Sequence, residues 1–210
     1  MIKLACCNVE SLNLKKAYHL VSRERRNKID FYRFEKDKKL SAGAYLLLKK
    51  LLSDENITNP VFRTGKYGKA HISNHENIHF NMSHSGKMVL CAISDMEVGA
   101  DVEYIDPEID LDIARNYFYN SEYESIMNSK NPSDEFFKYW VLKESYMKYT
   151  GLGMNLKLNS FEIMIEDEIR LKNDNENLKF SLFKVENYKI GIAGHQSVTD
   201  LIEFSVDELY

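Results

Sequence analysis

A mixed α+β fold is predicted by three observations. Residues 12–52 repeat apolar side chains at helical spacing, residues 78–103 fall into three strand-length pieces, and residues 161–206 alternate in short runs, as an antiparallel meander does. Between the two strand blocks stands one long helical segment that ends at Gly151, a residue suited to a helix C-terminus.

In chain order, residues 2–9 read as a strand, and 12–20, 23–34 and 36–52 as helices. Strands follow at 78–82, 88–94 and 98–103. Pro107 opens a stretch through Arg115 that suits a helix with acidic residues in its first turns, and Ser121-Glu122-Tyr123-Glu124 has the form of a capping box. Ser133 is placed to cap a helix beginning at Asp134. The strands of the meander are 161–166, 168–172, 178–185, 189–194 and 201–206, with 173–177 as a turn.

A chain of 210 residues can form one domain or two small ones, and 44% hydrophobic residues supply a core. The net charge of −4 provides no global basic field to attract nucleic acid. No stretch approaches a membrane span, and the N-terminus lacks the form of a signal peptide. Cys6, Cys7 and Cys91 are an odd set without metal spacing, which suits buried thiols in a reducing cytosol. A cytoplasmic monomer that binds neither nucleic acid nor membrane is expected.

Chemistry is concentrated in two pieces. In Val98-Gly99-Ala100-Asp101-Val102-Glu103 a strand's two-residue period puts the apolar Val98, Ala100 and Val102 on one face, and Asp101 and Glu103 side by side on the other. Two such carboxylates repel, and one tends to keep its proton unless a cation lies between them. At about 100° per residue, Phe137, Trp140, Val141, Glu144 and Lys148 share one face of the second helix. Alone, Asp-x-Glu also fits a solvated edge strand, and Glu144 with Lys148 also fits a surface ion pair. Together the two pieces point to a divalent metal held by Asp101, Glu103 and Glu144. An oxygen-only set suits Mg²⁺, with Mn²⁺ possible, and leaves positions for water and a phosphate.

A phosphate is suggested upstream as well. Ser83-His84-Ser85-Gly86 sets hydroxyls and an imidazole at a strand end, where such a turn can present donors to an anion. Tyr67-Gly68-Lys69 adds a glycine turn followed by a cation, and the N-terminal helices carry Arg25, Arg26, Lys28, Lys38 and Lys39. Each signal alone also fits a polar hairpin, a surface loop or a solvated helix face.

Taken in order, the basic N-terminal helices, Tyr67-Gly68-Lys69, Ser83-His84-Ser85-Gly86, Asp101-Val102-Glu103, Phe118 with Glu122, Trp140-x-x-Lys143-Glu144-x-x-x-Lys148 and Gly151-x-Gly153 resemble the 4′-phosphopantetheinyl transferases of the surfactin-synthetase-activating (Sfp) type. The resemblance spans about Arg23 to Gly153. It implies an enzyme that moves the phosphopantetheine arm of coenzyme A onto a serine of an apo-acyl or peptidyl carrier protein, releasing adenosine 3′,5′-bisphosphate. It also implies two similar α+β halves, residues 1–104 and 105–210, with the active site in the cleft between them.

Carried over residue by residue, the resemblance gives Asp101, Glu103 and Glu144 as metal ligands and Lys148 as the group meeting the pyrophosphate. Ser83, His84, Lys69 and Lys39 become coenzyme A contacts, with Lys38 an alternative to Lys39, and Arg25, Arg26 and Lys28 as further candidates. Two departures stand out: a lysine replaces the arginine expected at Lys39, and Leu152 stands where the family has lysine. Glu144 is the candidate base for the serine proton. Residues 104–124, dense in aromatics, are the candidate carrier-docking surface or else core packing. Two other function classes fit parts of the pattern: a metal-dependent phosphodiesterase or nuclease, and a non-catalytic coenzyme A-binding or carrier-binding module.

Overall fold

The computed structural model describes residues 1–173 and 177–210. Residues 1–104 contain β1 (Lys3–Asn8), α1 (Leu14–Leu20), α2 (Arg23–Phe31), α3 (Glu35–Asp54), β2 (Phe62–Thr64), β3 (Ala70–Ile72), β4 (His79–Ser85), β5 (Met88–Ser94) and β6 (Val98–Tyr104). The rest contains α4 (Asp112–Tyr117), α5 (Asn120–Asn128), α6 (Pro132–Thr150), β7 (Ile163–Ile165), β8 (Ile169–Leu171), β9 (Lys179–Val185), β10 (Tyr188–Gly194) and β11 (Ile202–Phe204). The α+β class is as the sequence predicts.

Two sheets carry the core, one ordered β11-β1-β5-β4 and the other β6-β10-β9. Strand β5 is buried throughout, and apolar as far as Ile93, because both its faces are covered. Val89, Cys91 and Ile93 pack with Leu47, Leu48 and Leu51 of α3, while Leu90 and Ala92 pack with Val98, Ala100 and Val102 of β6 and Ile190 and Ile192 of β10. The sheets therefore lie face to face with α3 outside one and α6 outside the other. Glycines let α6 lie directly on its sheet: a Cβ at Gly99 would come within 1.9 Å of the Ser145 carbonyl oxygen, and one at Gly191 within 2.5 Å of that of Val141.

The connectivity strand, helix, hairpin occurs twice. In β1, α3, β4 and β5 the last strand pairs antiparallel with the first, and in β6, α6, β9 and β10 it does so again. Strand β6 thus pairs with β10, so a boundary after Tyr104 does not coincide with a break between sheets.

Several local expectations are corrected. Strand β11 does not join a meander but pairs in parallel with β1, and β7 with β8 forms a separate small sheet. The hairpin β2–β3 around Tyr67-Gly68-Lys69 has strands too short for periodicity to reveal. The expected helix from Pro107 forms only from Asp112. Asn131, not Ser133, caps α6, its side chain accepting from the Asp134 amide, while Ser133 donates to the Pro107 carbonyl. In α5 the returning carboxylate is Glu122, which accepts from the Tyr119 amide, two residues before the expected Ser121/Glu124 pairing. The turn expected at 173–177 falls largely on residues outside those described.

Candidate active site

Strand β6 is the edge of its sheet, and β4 covers that edge with side chains instead of backbone pairing. Asn81, Ser83 and Ser85 alternate along β4 on one face. The Asn81 carboxamide oxygen accepts from the Ala100 amide at 3.3 Å, Ser83 Oγ donates to Asp101 Oδ1 at 2.8 Å, and Ser85 Oγ donates to Glu103 Oε2 at 2.6 Å. Ser85 Oγ also accepts from the Tyr104 amide at 3.1 Å. Ser83 and Ser85 therefore lie within the strand, and the turn begins only at Gly86, which has φ +58°.

Lys148, on the last turn of α6, reaches back over β6. Its ammonium donates to Asp101 Oδ1 at 2.6 Å and to Ser83 Oγ at 2.8 Å. Asp101 is buried, and its Oδ2 is inaccessible and takes no hydrogen bond among the described residues. Burial and then the charge of Asp101 push the Glu103 carboxyl up to about 7, with Ser85, Lys148 and Trp140 opposing. Burial and Asp101 likewise hold Glu144 above the usual carboxylate range, with Lys148 opposing. The three predicted carboxylates thus share one electrostatic neighbourhood. They are not drawn into a tight ligand set, however: no group of three His, Cys, Asp or Glu side chains close enough to hold a metal occurs among the described residues. The cation on Asp101 in this arrangement is Lys148.

The orphaned Asp101 oxygen and two carboxyls of raised pKa are what a cluster short of positive charge shows, so the residues present fit a hard divalent cation.

Lys148 opens onto a cleft of about 320 Å³ lined by Lys28, Tyr67, Lys69, Met147 and Gly151 among others. Lys28, Gly68, Ala70, Phe80 and Met82 also line a second cavity of about 670 Å³, in which Arg25 and Arg63 face Tyr45 and Phe62. Lys69 crosses between elements, donating to Glu97 at 2.6 Å and to the Tyr149 carbonyl at the end of α6 at 2.9 Å. His84 sits at the outer end of β4, where its crowded surroundings, Lys148 and Lys28 hold its imidazole below the usual range. Lys39 lies elsewhere: it donates to the Glu10 carbonyl at 3.0 Å and lines a different cavity, with Val9 and Lys87. Of the N-terminal cations whose register the sequence leaves open, Lys28 lines the cleft and Arg25 the second cavity. The roles of Asn81 and Ser85 escape it altogether, although the matching x-Ser-x-Ser and x-Asp-x-Glu spacings are a legible signal.

A cleft rimmed by cations, with a lysine and clustered carboxylates at its inner end, defines a site for polyanionic substrates and phosphoryl chemistry. Comparisons narrow this class. A sequence model of the 4′-phosphopantetheinyl transferase superfamily matches residues 97–193, essentially β6 to β10. A Bacillus subtilis 4′-phosphopantetheinyl transferase is 34% identical over 156 residues, 70% of this chain and 69% of that protein. The transferase Sfp of Bacillus subtilis strain 168 is 32% identical over 157 residues, 70% of each chain. The transferase gsp of Aneurinibacillus migulanus is 42% identical over 125 residues, 58% of this chain and 52% of that one. Among solved structures, holo-[acyl-carrier-protein] synthase of Thermotoga maritima is similar over 47% of this chain and 61% of its own, with a TM-score of 0.41 and 19% identity. The chain belongs to the 4′-phosphopantetheinyl transferase superfamily.

Proposed function

We propose that the protein transfers the 4′-phosphopantetheine group of coenzyme A to a serine hydroxyl of an apo-carrier protein, releasing adenosine 3′,5′-bisphosphate. The observation that carries the reading is Lys148, 2.6 Å from an Asp101 whose other oxygen is buried and has no partner among the described residues, at the inner end of a cation-lined cleft. Family membership gives a nuclease or a non-catalytic binding module no support.

Asp101, Glu103 and Glu144 would hold Mg²⁺, or Mn²⁺ in its place, which when bound neutralises charge on the pyrophosphate. Arg25, Lys28 and Lys69 line the two cavities and, with His84, which feels the charges of Lys148 and Lys28, would bind the coenzyme A phosphates, with Lys39 set aside because its ammonium is engaged at Glu10. Ser83 contributes by orienting Lys148 and Asp101. In the transfer, the serine oxygen bonds to the pantetheine-side phosphorus while that phosphorus's bond to the bridging oxygen breaks. The bisphosphate leaves with the electron pair, and Lys148 counters its charge. Glu144 takes the serine proton, a task suited to a carboxyl whose pKa is raised toward neutrality.

The active site lies in the cleft between the two halves, with β4 and β6 of residues 1–104 and α6 of residues 105–210 supplying its groups. The carrier docks beside it on Tyr104, Tyr117 and Tyr119, which are exposed, whereas Phe118 stacks on Phe136 in the core. Alanine at these tyrosines should raise KM for the carrier and leave KM for coenzyme A unchanged. A cytoplasmic monomer is part of the same reading, supported by three free, buried thiols. Intact-mass analysis of several apo-carrier proteins incubated with the protein, coenzyme A and Mg²⁺ tests the activity. Addition of one phosphopantetheine per carrier is expected; an unmodified panel would refute the reading.

A further inference from the structure

We infer that Ser85 is a positioning residue for the metal-binding carboxylates, acting through Glu103. The inference rests on the proposed metal site and adds a residue to it.

Ser85 is two residues beyond Ser83 on β4, and Glu103 two beyond Asp101 on β6, so the hydroxyls and carboxylates meet in matching register. Ser85 Oγ donates to Glu103 Oε2 at 2.6 Å, as Ser83 Oγ donates to Asp101 Oδ1 at 2.8 Å. The two serines nevertheless differ. Ser83 is also fixed by Lys148, a group of the reaction itself, whereas the Ser85 hydroxyl is fixed by the Tyr104 amide at 3.1 Å. With that backbone N–H occupying one of its lone pairs, the hydroxyl can hardly point its own proton anywhere but at Glu103. A glutamate has three side-chain torsions to restrain, and at a strand end it would sample several rotamers without such a tether. Ser85 thus fixes Glu103 Oε2, with the Trp140 indole as a second donor to the same carboxyl, as the outer partners of metal-ligating carboxylates do.

The test is calorimetric titration of Mg²⁺ into the full chain, with Mn²⁺ as a second probe, for the parent, Ser85→Ala, Ser85→Thr, Glu103→Gln and the double variant Ser85→Ala/Glu103→Gln. Ser85→Ala is expected to weaken binding about 10–100-fold, the usual effect of removing an outer partner. Ser85→Thr, which keeps the hydroxyl, should restore most of it. In the Glu103→Gln background the alanine change should have no further effect, because the path runs through Glu103. The metal-free thermal midpoint and the affinity for coenzyme A without metal should stay near the parental values. An unchanged Mg²⁺ affinity in Ser85→Ala, or an equal further loss in the Glu103→Gln background, would overturn the role of Ser85 while leaving the metal site standing. A parent chain that binds neither ion would overturn both.

Discussion

Two lysines of α6 each meet a buried carboxylate, and the contrast between them separates scaffold from site. Lys143 and Glu122 are 0% and 1% exposed, and every strong group they carry is used. Glu122 accepts from Lys143 at 2.9 Å and from the amides of Ile163 and Tyr119 at 2.7 and 2.9 Å. Lys143 also donates to the carbonyls of Leu158 and Phe161 and lies over the rings of Phe118 and Phe161. This pair ties α5, α6 and the loop before β7 together. Lys148 and Asp101 are held on one side only: one carboxylate oxygen is shared by two donors, the other has none among the described residues, and two further carboxyls crowd the same charge. A buried ion pair with all its hydrogen bonds made holds a fold together, whereas one left short of positive charge is a place for a ligand.

That contrast can be broken first at the satisfied pair. Lys143→Met strands a buried carboxylate and should lower unfolding free energy by about 3–5 kcal/mol, with Glu122→Gln/Lys143→Met recovering much of it; denaturant titration reads both. Lys148→Met and Asp101→Asn should instead keep the fold and lower turnover about 10²–10³-fold, and a loss of stability like that of Lys143→Met would erase the distinction. Gly99→Ala should destabilise by about 1–3 kcal/mol because the added carbon meets α6 backbone, and activity should fall along with stability. Smaller still, Lys28→Ala should raise KM for coenzyme A severalfold while Lys39→Ala leaves it near parental, a steady-state comparison that separates the two candidate cations. The mildest effect is at His84. Its depressed imidazole is neutral at pH 7 in the free protein, and a bound phosphate raises it again. Coenzyme A should therefore bind more tightly as pH falls through the imidazole range, and His84→Gln should flatten that dependence in a binding titration.

The sequence makes the long, periodic elements legible: β5 falls at the predicted residues and α3, α6 and β6 within a few. It makes Asp101, Glu103, Glu144 and Lys148 legible as well, because charged side chains among Val98, Ala100, Val102, Phe137 and Val141 demand a partner. What escapes is set by long-range pairing. Nothing in residues 201–206 says that they lie parallel to β1, since parallel and antiparallel edge strands share one period. Lys39 and Lys28 are indistinguishable as basic helical residues until the helices pack, when one ammonium turns to Glu10 and the other lines the cleft. The Asn81, Ser83 and Ser85 seam shows its matching spacing in the sequence but takes on its role only when β4 lies along the edge of β6.

Equilibrium Mg²⁺ binding by the parent, Asp101→Asn and Glu122→Gln proteins bears most directly on the division between these two carboxylates. One ion per chain is expected for the parent and for any folded Glu122→Gln protein, and none for Asp101→Asn. Parental binding by Asp101→Asn, or no ion on the parent, would contradict the assignment of this cluster as the metal site.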